Sequence, residues 1–591
     1  MEARIRAAVE AWLTDPDIAE ADRAEIRALV EAGDLHELAD RFYRDLEFGT
    51  GGLRGVIGAG RNRMNVYTVG AAAAGLAAYL LDQGDTARRA GVAIAFDCRR
   101  CSDVFALRTA CVLAGHGIPA LLFRELRPTP LLSFAVRHLG CAAGVVITAS
   151  HNPPEYNGFK VYWSDGVQIV PPHDAGIIAR VRAVQNYGRV PAMDAAAARQ
   201  AGLIRDLGPE VDEAFLQAVQ DSCLDLQTCR RRGATLKIVY TSLHGTGGTL
   251  IPQALQRRGF RNVIEVPGQR VPDGGFPTVA SPNPEEPEAL SMAVALAARE
   301  GADLVIGTDP DADRMGVAVR DSAGGYPLLT GNQIAALLTD YIFGRHAARG
   351  TLPSDALLVT TLVSGGLMKA VARSYGAGVV EVLTGFKWIG QTFQRCQELR
   401  AAGRPAGTCL FGAEESYGYM PCTHTRDKDA VSSAAFIAEA AAAAAERGKT
   451  LHEVLEELYR RHGYFQEGAR NLTLTGPEGA QRIRSIMTGL RSDPPRILGG
   501  IEVRTIGDLA DGRIRDVAAG RTTGSYDLPS ADVLVFTLAD GTQAIARPSG
   551  TEPKIKFYVL TRVADADLQR ARAAASARIA AVADDLVRRA G

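Results

Sequence analysis

Lysine is scarce in this chain: only eight of its 66 basic residues are lysine, so arginine is the default cation. A lysine kept against that bias marks a place where a compact ammonium is needed, because the two side chains are not interchangeable. Lys160, Lys387, Lys554 and Lys556 fall in the polar loops described below. Long apolar runs are missing too. The most apolar stretch, Val69 to Leu81, has thirteen residues, against roughly 20 needed to span a bilayer. The charged N-terminus MEARIRAAVEAWLTDPDIAE lacks the apolar core of a secretory signal. A soluble, cytoplasmic protein without a membrane partner is expected. The net charge is only −1, so no global field favours nucleic acid, and an anionic ligand must be gripped by local basic groups. The nine cysteines are odd in number and scattered. Cys98 and Cys101 form a C-R-R-C, but the second pair that zinc would need is lacking, which leaves free thiols in a reducing compartment.

Several familiar signatures are also absent. Gly448-Lys449-Thr450 resembles the end of a phosphate-binding loop, but Ala443 stands where the first glycine should be. No G-x-G-x-x-G follows the early strands, so a dinucleotide is not indicated. No G-x-S-x-G surrounds Ser150, against a hydrolase elbow. No repeat of 20 to 50 residues is visible.

What is present is ordinary globular composition, 47% hydrophobic and 23% charged, over 591 residues. At roughly 150 residues per domain this length implies about four domains. Residues 1–45 read as amphipathic helices. From there, short β-rich runs alternate with helical stretches: Val92–Phe96, Ala143–Thr148, Lys237–Thr241, Asp303–Gly307 and Leu357–Thr361. That alternation implies α/β domains with largely parallel sheets, divided at 46–207, 208–322 and 323–462. Residues 463–591 carry denser β-like runs and a closing Ala/Arg helix, and read as a smaller α+β domain.

Four loops carry the polar chemistry. Thr148-Ala-Ser-His-Asn-Pro-Pro-Glu-Tyr-Asn-Gly-Phe-Lys160 follows a strand and reads as an exposed turn. Its Ser150 can serve as a nucleophile with His151 and Lys160 near in sequence, or simply cap a proline turn. In Gly307-Thr-Asp-Pro-Asp-Ala-Asp-Arg314, three aspartates at alternate positions repel unless a cation offsets them. Hard carboxylate oxygens suit Mg²⁺ or Ca²⁺. An EF-hand fails, since Arg314 and Arg320 occupy its glycine and glutamate positions; a solvated acidic turn is the remaining alternative. Phe411-Gly-Ala-Glu-Glu-Ser-Tyr-Gly-Tyr419 offers groups matched to sugar hydroxyls, or the first turn of a helix. Arg547-Pro-Ser-Gly-Thr-Glu-Pro-Lys554 has the parts of a phosphate cradle, or of a plain turn.

Together these loops resemble the α-D-phosphohexomutase family, which includes phosphoglucomutases, phosphomannomutases and phosphopentomutases. T-A-S-H-N-P is similar to its phosphoserine loop, D-P-D-A-D-R to its magnesium loop, A-E-E-S to its sugar loop and R-P-S-G-T-E-P to its distal phosphate loop. They stand in the family's order over about residues 46 to 560. Phe48-Gly-Thr-Gly-Gly-Leu-Arg54 resembles its N-terminal arginine segment. Pro310 and Ala312 depart from the usual D-G-D-x-D-R while keeping the carboxylate spacing. Thr384-Gly-Phe-Lys-Trp-Ile389 and the helical extension look like the long phosphoglucomutase or phosphopentomutase members.

The resemblance implies four domains around a central cleft, three α/β domains with mixed sheets plus the C-terminal α+β domain. It implies reversible conversion of α-D-glucose 1-phosphate to glucose 6-phosphate through phosphorylated Ser150 and a sugar 1,6-bisphosphate, which also acts as activator. Ser150, His151, Lys160 and Arg54 are the implied catalytic residues. One Mg²⁺ per chain is expected on Asp309, Asp311 and Asp313 with Ser150. Arg314, Lys387, Glu414, Ser416, Arg547, Ser549, Gly550 and Thr551 are expected to bind substrate. Phosphopentomutase or phosphomannomutase activity is the alternative within the family, and a metal-dependent sugar-phosphate phosphatase the alternative outside it. Partners are small sugar phosphates, with a monomer or dimer both open.

Overall fold

The structure is a computed structural model describing residues 2–49, 52–474, 476–549 and 554–590. The chain forms two compact units: Met1–Leu329 with Ile389–Pro405 and Ser416–Gly448, and Thr330–Trp388 with Ala406–Glu415 and Lys449–Gly591.

The first unit opens with three helices, Ala3–Thr14, Glu20–Ala32 and Leu35–Phe42. Their apolar faces meet around Trp12, Ile26, Phe42 and Tyr67. Tyr67 belongs to the helix Val66–Asp82, which contains the apolar run of the sequence and is buried along most of its length. It packs on a six-stranded mixed sheet in the order Leu53–Val56, Tyr156–Trp163, Ala143–Ile147, Val92–Phe96, Ala120–Phe123, Ile204–Leu207. The central strands are parallel, and Tyr156–Trp163 returns antiparallel beside Ala143–Ile147. The segment read as an exposed turn is therefore half strand. Its Gly158 serves close packing: a Cβ there would lie 2.5 Å from the Thr148 carbonyl and 2.8 Å from that of Leu53.

A second sheet runs Leu328–Leu329, Met315–Val319, Leu304–Thr308, Lys237–Thr241, Asn262–Glu265. Leu304–Thr308 and Met315–Val319 are buried throughout and mostly apolar; they pair antiparallel, and the aspartate loop is the connection between them. The helix Ala430–Glu446 covers the same unit. It is tied down by Glu439, which accepts from the Arg258 guanidinium and, at 2.5 Å, from the Asp225 amide. Both members of the ion pair are fully buried, and Arg258 lies 4.6 Å from the Phe436 ring centre.

In the second unit, Gly378–Val382, Ala356–Thr361 and Thr408–Glu414 form a parallel sheet. The last region is antiparallel, in the order Tyr464–Thr473, Lys554–Val563, Gln543–Pro548, Leu534–Leu538, Ile501–Asp508, Arg513–Asp516, Thr522–Ser525. Its alternation is strict. Leu534, Phe536, Ala544, Ala546, Phe557 and Val559 face the helices Gly476–Ser492 and Leu568–Ala590, while Val535, Ile545, Tyr558 and Leu560 pack with Val363, Leu383 and Trp388 of the parallel-sheet region. Among the described residues no helix is long and apolar enough to cross a membrane.

Removing one partner of a buried ion pair leaves an uncompensated charge, at about 3–5 kcal/mol. Glu439→Ala should lose stability of that order in urea unfolding, and a Glu439→Leu, Arg258→Met double variant should regain most of it.

Candidate functional site

Ser150 sits three residues beyond the strand Ala143–Ile147. Its backbone is left-handed, φ 55°, a conformation that costs a non-glycine residue roughly 1 kcal/mol. The Thr148 hydroxyl accepts its amide at 2.9 Å. The serine is only 3% exposed, so it is enclosed although Pro153 and Glu155 of the same loop face solvent. Its hydroxyl donates to Asp309 Oδ2 at 2.7 Å and lies 3.2 Å from His151 Nδ1. Arg54 stands at the edge, donating to Asn152 Oδ1 at 3.2 Å.

The aspartate loop turns through Ala312, also left-handed at φ 50°. Asp309 Oδ1 accepts the amides of Asp313 and Arg314, which closes the loop on itself. A segment not foreseen from sequence supports it from behind: the Thr246 amide and hydroxyl both donate to the Pro310 carbonyl, and a Cβ on Gly245 would lie 2.4 Å from Pro310 Cα. Thr129, at the start of a helix of the first sheet, donates its hydroxyl to Asp311 Oδ2 and its amide to the Asp311 carbonyl.

Asp309, Asp311 and Asp313 are buried, and each offers a carboxylate oxygen within 4.8 Å of the others. Lys160 donates to Asp311 Oδ2 at 2.9 Å and to Asp313 Oδ2 at 3.5 Å. Lys428 stands 3.4 Å from Asp313 Oδ2, and Arg314 donates to Glu285 beside the loop. Burial and then the Asp311 and Asp313 charges push the Asp309 carboxyl well above its usual range. Burial opposes ionisation of Asp311, but Lys160 outweighs it and holds that carboxyl low. Lys160 is held above its usual range, because Asp311 and Asp313 offset the cost of burying it. His151 is pushed well below its usual range by burial and by Arg314 and Arg54. These shifts favour the neutral form of the imidazole beside Ser150 and the charged form of the ammonium beside Asp311 and Asp313.

Among the described residues Asp311 Oδ1 and Asp313 Oδ1 are buried without a hydrogen-bond partner, although Arg314 Nε stands 3.9 Å from Asp313 Oδ1. Such oxygens are costly unless something cationic meets them, and an all-oxygen donor set fits Mg²⁺. The residues present therefore fit the metal that the sequence led us to expect.

Ser416 belongs to the same unit. Its neighbour Tyr417 accepts the Met315 amide at 3.0 Å, and Gly418 bridges to Arg314, so the segment after Ser416 is tied to the end of the aspartate loop. Glu414, Lys387, Arg547 and Ser549 lie in the second unit. Glu414 is buried at the end of Thr408–Glu414. Beside it, Glu415 accepts from the hydroxyls of Thr361 and Ser364, both at 3.1 Å. Arg547 donates to the Tyr558 hydroxyl at 3.2 Å, and its Nε is buried without a partner. Burial raises the Tyr558 hydroxyl; Arg547 acts against that shift, and Glu415 and Glu414 add to it, so the three share one neighbourhood. The Ser549 amide donates to the Lys554 carbonyl at the base of the hairpin. Lys387 opens the helix Phe386–Ala401, 5.2 Å from the Trp388 ring centre. Gly550 and Thr551 lie outside the described residues.

Lys428 and Thr129 were missed by sequence reasoning. The scarcity of lysine was the available signal for Lys428; nothing local marks Thr129, whose role depends on two sheets meeting.

Three α/β sheet regions followed by an antiparallel, helix-backed region form the architecture of the phosphohexomutases. A phosphomannomutase assignment from Thermus thermophilus superposes with a TM-score of 0.65 at 25% identity, over 92% of this chain and 99% of that one. Parafusin, a phosphoglucomutase of Paramecium, shares the fold at a TM-score of 0.65 and 16% identity, over 93% of this chain and 96% of that one. Family models for phosphoglucomutase/phosphomannomutase α/β/α domains I, II and III match residues 45–188, 213–324 and 330–462. The phosphoglucomutase of Staphylococcus aureus strain MSSA476 is 38% identical over 524 residues, covering 88% of this chain and 91% of that one. That of Staphylococcus epidermidis is 38% identical over 516 residues, covering 87% and 90%. The chain belongs to the phosphoglucomutase/phosphomannomutase family and is an isomerase of that kind.

Mg²⁺ should raise the melting temperature of the protein, since a ligand at a hundredfold excess over its Kd adds about 2.7 kcal/mol. Asp311→Asn should abolish that shift in a thermal-melt titration.

Glu467 gives a pH signature in the second unit. Burial pushes its carboxyl up to about 7, with Asn332 and Lys369 pulling the other way. A raised carboxyl contributes stability that is full below the unfolded value of about 4.3 and lost as pH rises through the folded one. Between pH 5 and about 8, the melting temperature of the wild type should therefore fall relative to that of Glu467→Gln.

Proposed function

We propose that this chain interconverts α-D-glucose 1-phosphate and glucose 6-phosphate, with Ser150 carrying phosphate between the two hydroxyls. The observation that carries this reading is the Ser150 hydroxyl, bonded at 2.7 Å to a buried triad in which one oxygen each of Asp311 and Asp313 accepts no hydrogen bond among the described residues. Glucose is favoured over mannose or pentose phosphates by the relatives named phosphoglucomutase at 38% identity.

In this reading, phosphorylated Ser150 loses its phosphoryl group to the free sugar hydroxyl as the Oγ–P bond breaks and the new O–P bond forms. The resulting bisphosphate returns its other phosphoryl group to Ser150. One Mg²⁺ per chain, held by the three aspartates and Ser150, would neutralise the oxygens of the group in transfer. Lys160 is the candidate general acid/base for the proton of the attacking and leaving oxygens, with His151, 3.2 Å from the serine hydroxyl, in support. Arg54 and Arg314 flank the reacting phosphate. Arg547, with Ser549, Gly550 and Thr551, holds the phosphate that is not reacting, while Lys387, Glu414 and Ser416 meet the sugar. A second phosphate grip is what a mutase needs and a phosphatase does not. A sugar 1,6-bisphosphate would load Ser150 and so act as activator. A cytoplasmic location and a monomer or dimer complete the proposal, with the chain divided at 1–45, 46–207, 208–322, 323–462 and 463–591.

Ser150→Ala should abolish isomerisation, and retained turnover would refute the carrier role. A panel of glucose, mannose and ribose 1-phosphates with Mg²⁺ and a bisphosphate should rank glucose first. Phosphate release exceeding isomerisation would favour the phosphatase instead.

A further inference from the structure

The C-R-R-C motif places an arginine under the serine loop, and the thiols are not its useful part. The cysteines are thiols, not disulfides, and burial pushes the Cys98 thiol up, away from reactivity. Arg99 lies just after the strand Val92–Phe96, and its side chain is fully buried. Its Nη2 donates to the carbonyls of Ser150, at 2.5 Å, and of Asn152. Its Nη1 donates to the carbonyls of Pro153, at 2.8 Å, and of Tyr156, at 3.1 Å. All four Nη protons thus go to main-chain oxygens of one seven-residue loop.

Two further contacts fix the guanidinium itself. Asp97 Oδ2 faces Nε at 3.4 Å, and Asp97 Oδ1 is held by the Arg99 amide and the Ser102 hydroxyl. Phe276 lies against the guanidinium, 5.0 Å from its carbon. Phe276 follows Gly274, where a Cβ would lie 2.6 Å from the Cys98 carbonyl and 2.8 Å from Arg99 Cα. The segment carrying Gly274 and Phe276 comes from the region of the second sheet, so Arg99 touches both the serine loop and the region that carries the aspartates.

We propose that Arg99 is the positioning residue of the phosphate carrier: its four-carbonyl clamp holds Ser150 left-handed and aims the hydroxyl at Asp309. Ordinary loop hydrogen bonds are insufficient for this, because the left-handed serine resists the conformation and proline at 153 and 154 removes two amides from the loop. Lysine cannot substitute, since an ammonium has three donors and no planar fork. The proposal rests on the reading that Ser150 carries phosphate.

The test compares wild type, Arg99→Lys and Asp97→Asn, with phosphoserine occupancy measured by intact mass. At matched occupancy, Arg99→Lys should lower kcat for glucose 1-phosphate roughly 10- to 100-fold, the scale of an ångström-level misplacement. KM should change by less than about threefold, because the sugar grips are untouched, and phosphate released per isomerisation should rise. Asp97→Asn keeps Arg99 and the Ser102 contact, so it should fold and show the same pattern more weakly; it decides the matter if the lysine variant does not fold. Wild-type kcat per phosphoserine in the folded variants, even with lower yield or melting temperature, would overturn the proposal by showing a structural role alone. A wild type with neither phosphoserine nor isomerisation would instead overturn the functional reading, and Arg99's role with it.

Discussion

Three carboxylates are buried together, and the first unit is organised around offsetting their charge. Asp309, Asp311 and Asp313 sit within 4.8 Å of one another through an oxygen each, where repulsion in a low-dielectric setting would otherwise protonate or expel them. Lys160 comes from the antiparallel strand of the first sheet and Lys428 from the loop before the helix Ala430–Glu446. Each cation is supplied by a different part of the chain. The triad can be assembled only when those parts are packed, and this links fold stability to the electrostatics of the site.

That requirement accounts for much of the polar interior nearby. Thr129 reaches from the first sheet to Asp311. Thr246 and Gly245 back the loop at Pro310. The Arg258–Glu439 pair anchors the helix that follows Lys428. Each is a buried contact between segments far apart in sequence, and the polar partners offset much of the cost of burying one another. The second unit buries an arginine too: Arg547 donates to the Tyr558 hydroxyl, and its Nε is buried without a hydrogen-bond partner among the described residues.

Much of the fold was legible because its strands are fully buried or strictly alternating. Val92–Phe96 and Lys237–Thr241 have the same limits in sequence and structure, since continuous β-branched and aliphatic runs bounded by polar loops have one reading. The segment after Ser150 was harder. Two prolines, a glycine and two asparagines look like a turn, but Asn157 and Gly158 serve strand packing: Asn157 donates to the Arg100 carbonyl and the Ser102 hydroxyl, and Gly158 lets two strands approach. Turn-forming residues and close-approach residues are the same residues, and only the neighbour tells them apart.

The sequence by itself determined the inventory of the polar loops: a serine beside a histidine, aspartates at alternate positions, a loop with two adjacent glutamates and an arginine loop, in one order. Spacing along a short loop is set by covalent geometry, so it survives without a fold. The tertiary structure decided which groups face one another. It brought Ser150 to Asp309 across 159 residues, made His151 neutral and Lys160 charged, enlisted Lys428 and placed Arg99 under the serine. Those outcomes depend on burial and on distances between remote segments, and neither quantity is written in local sequence.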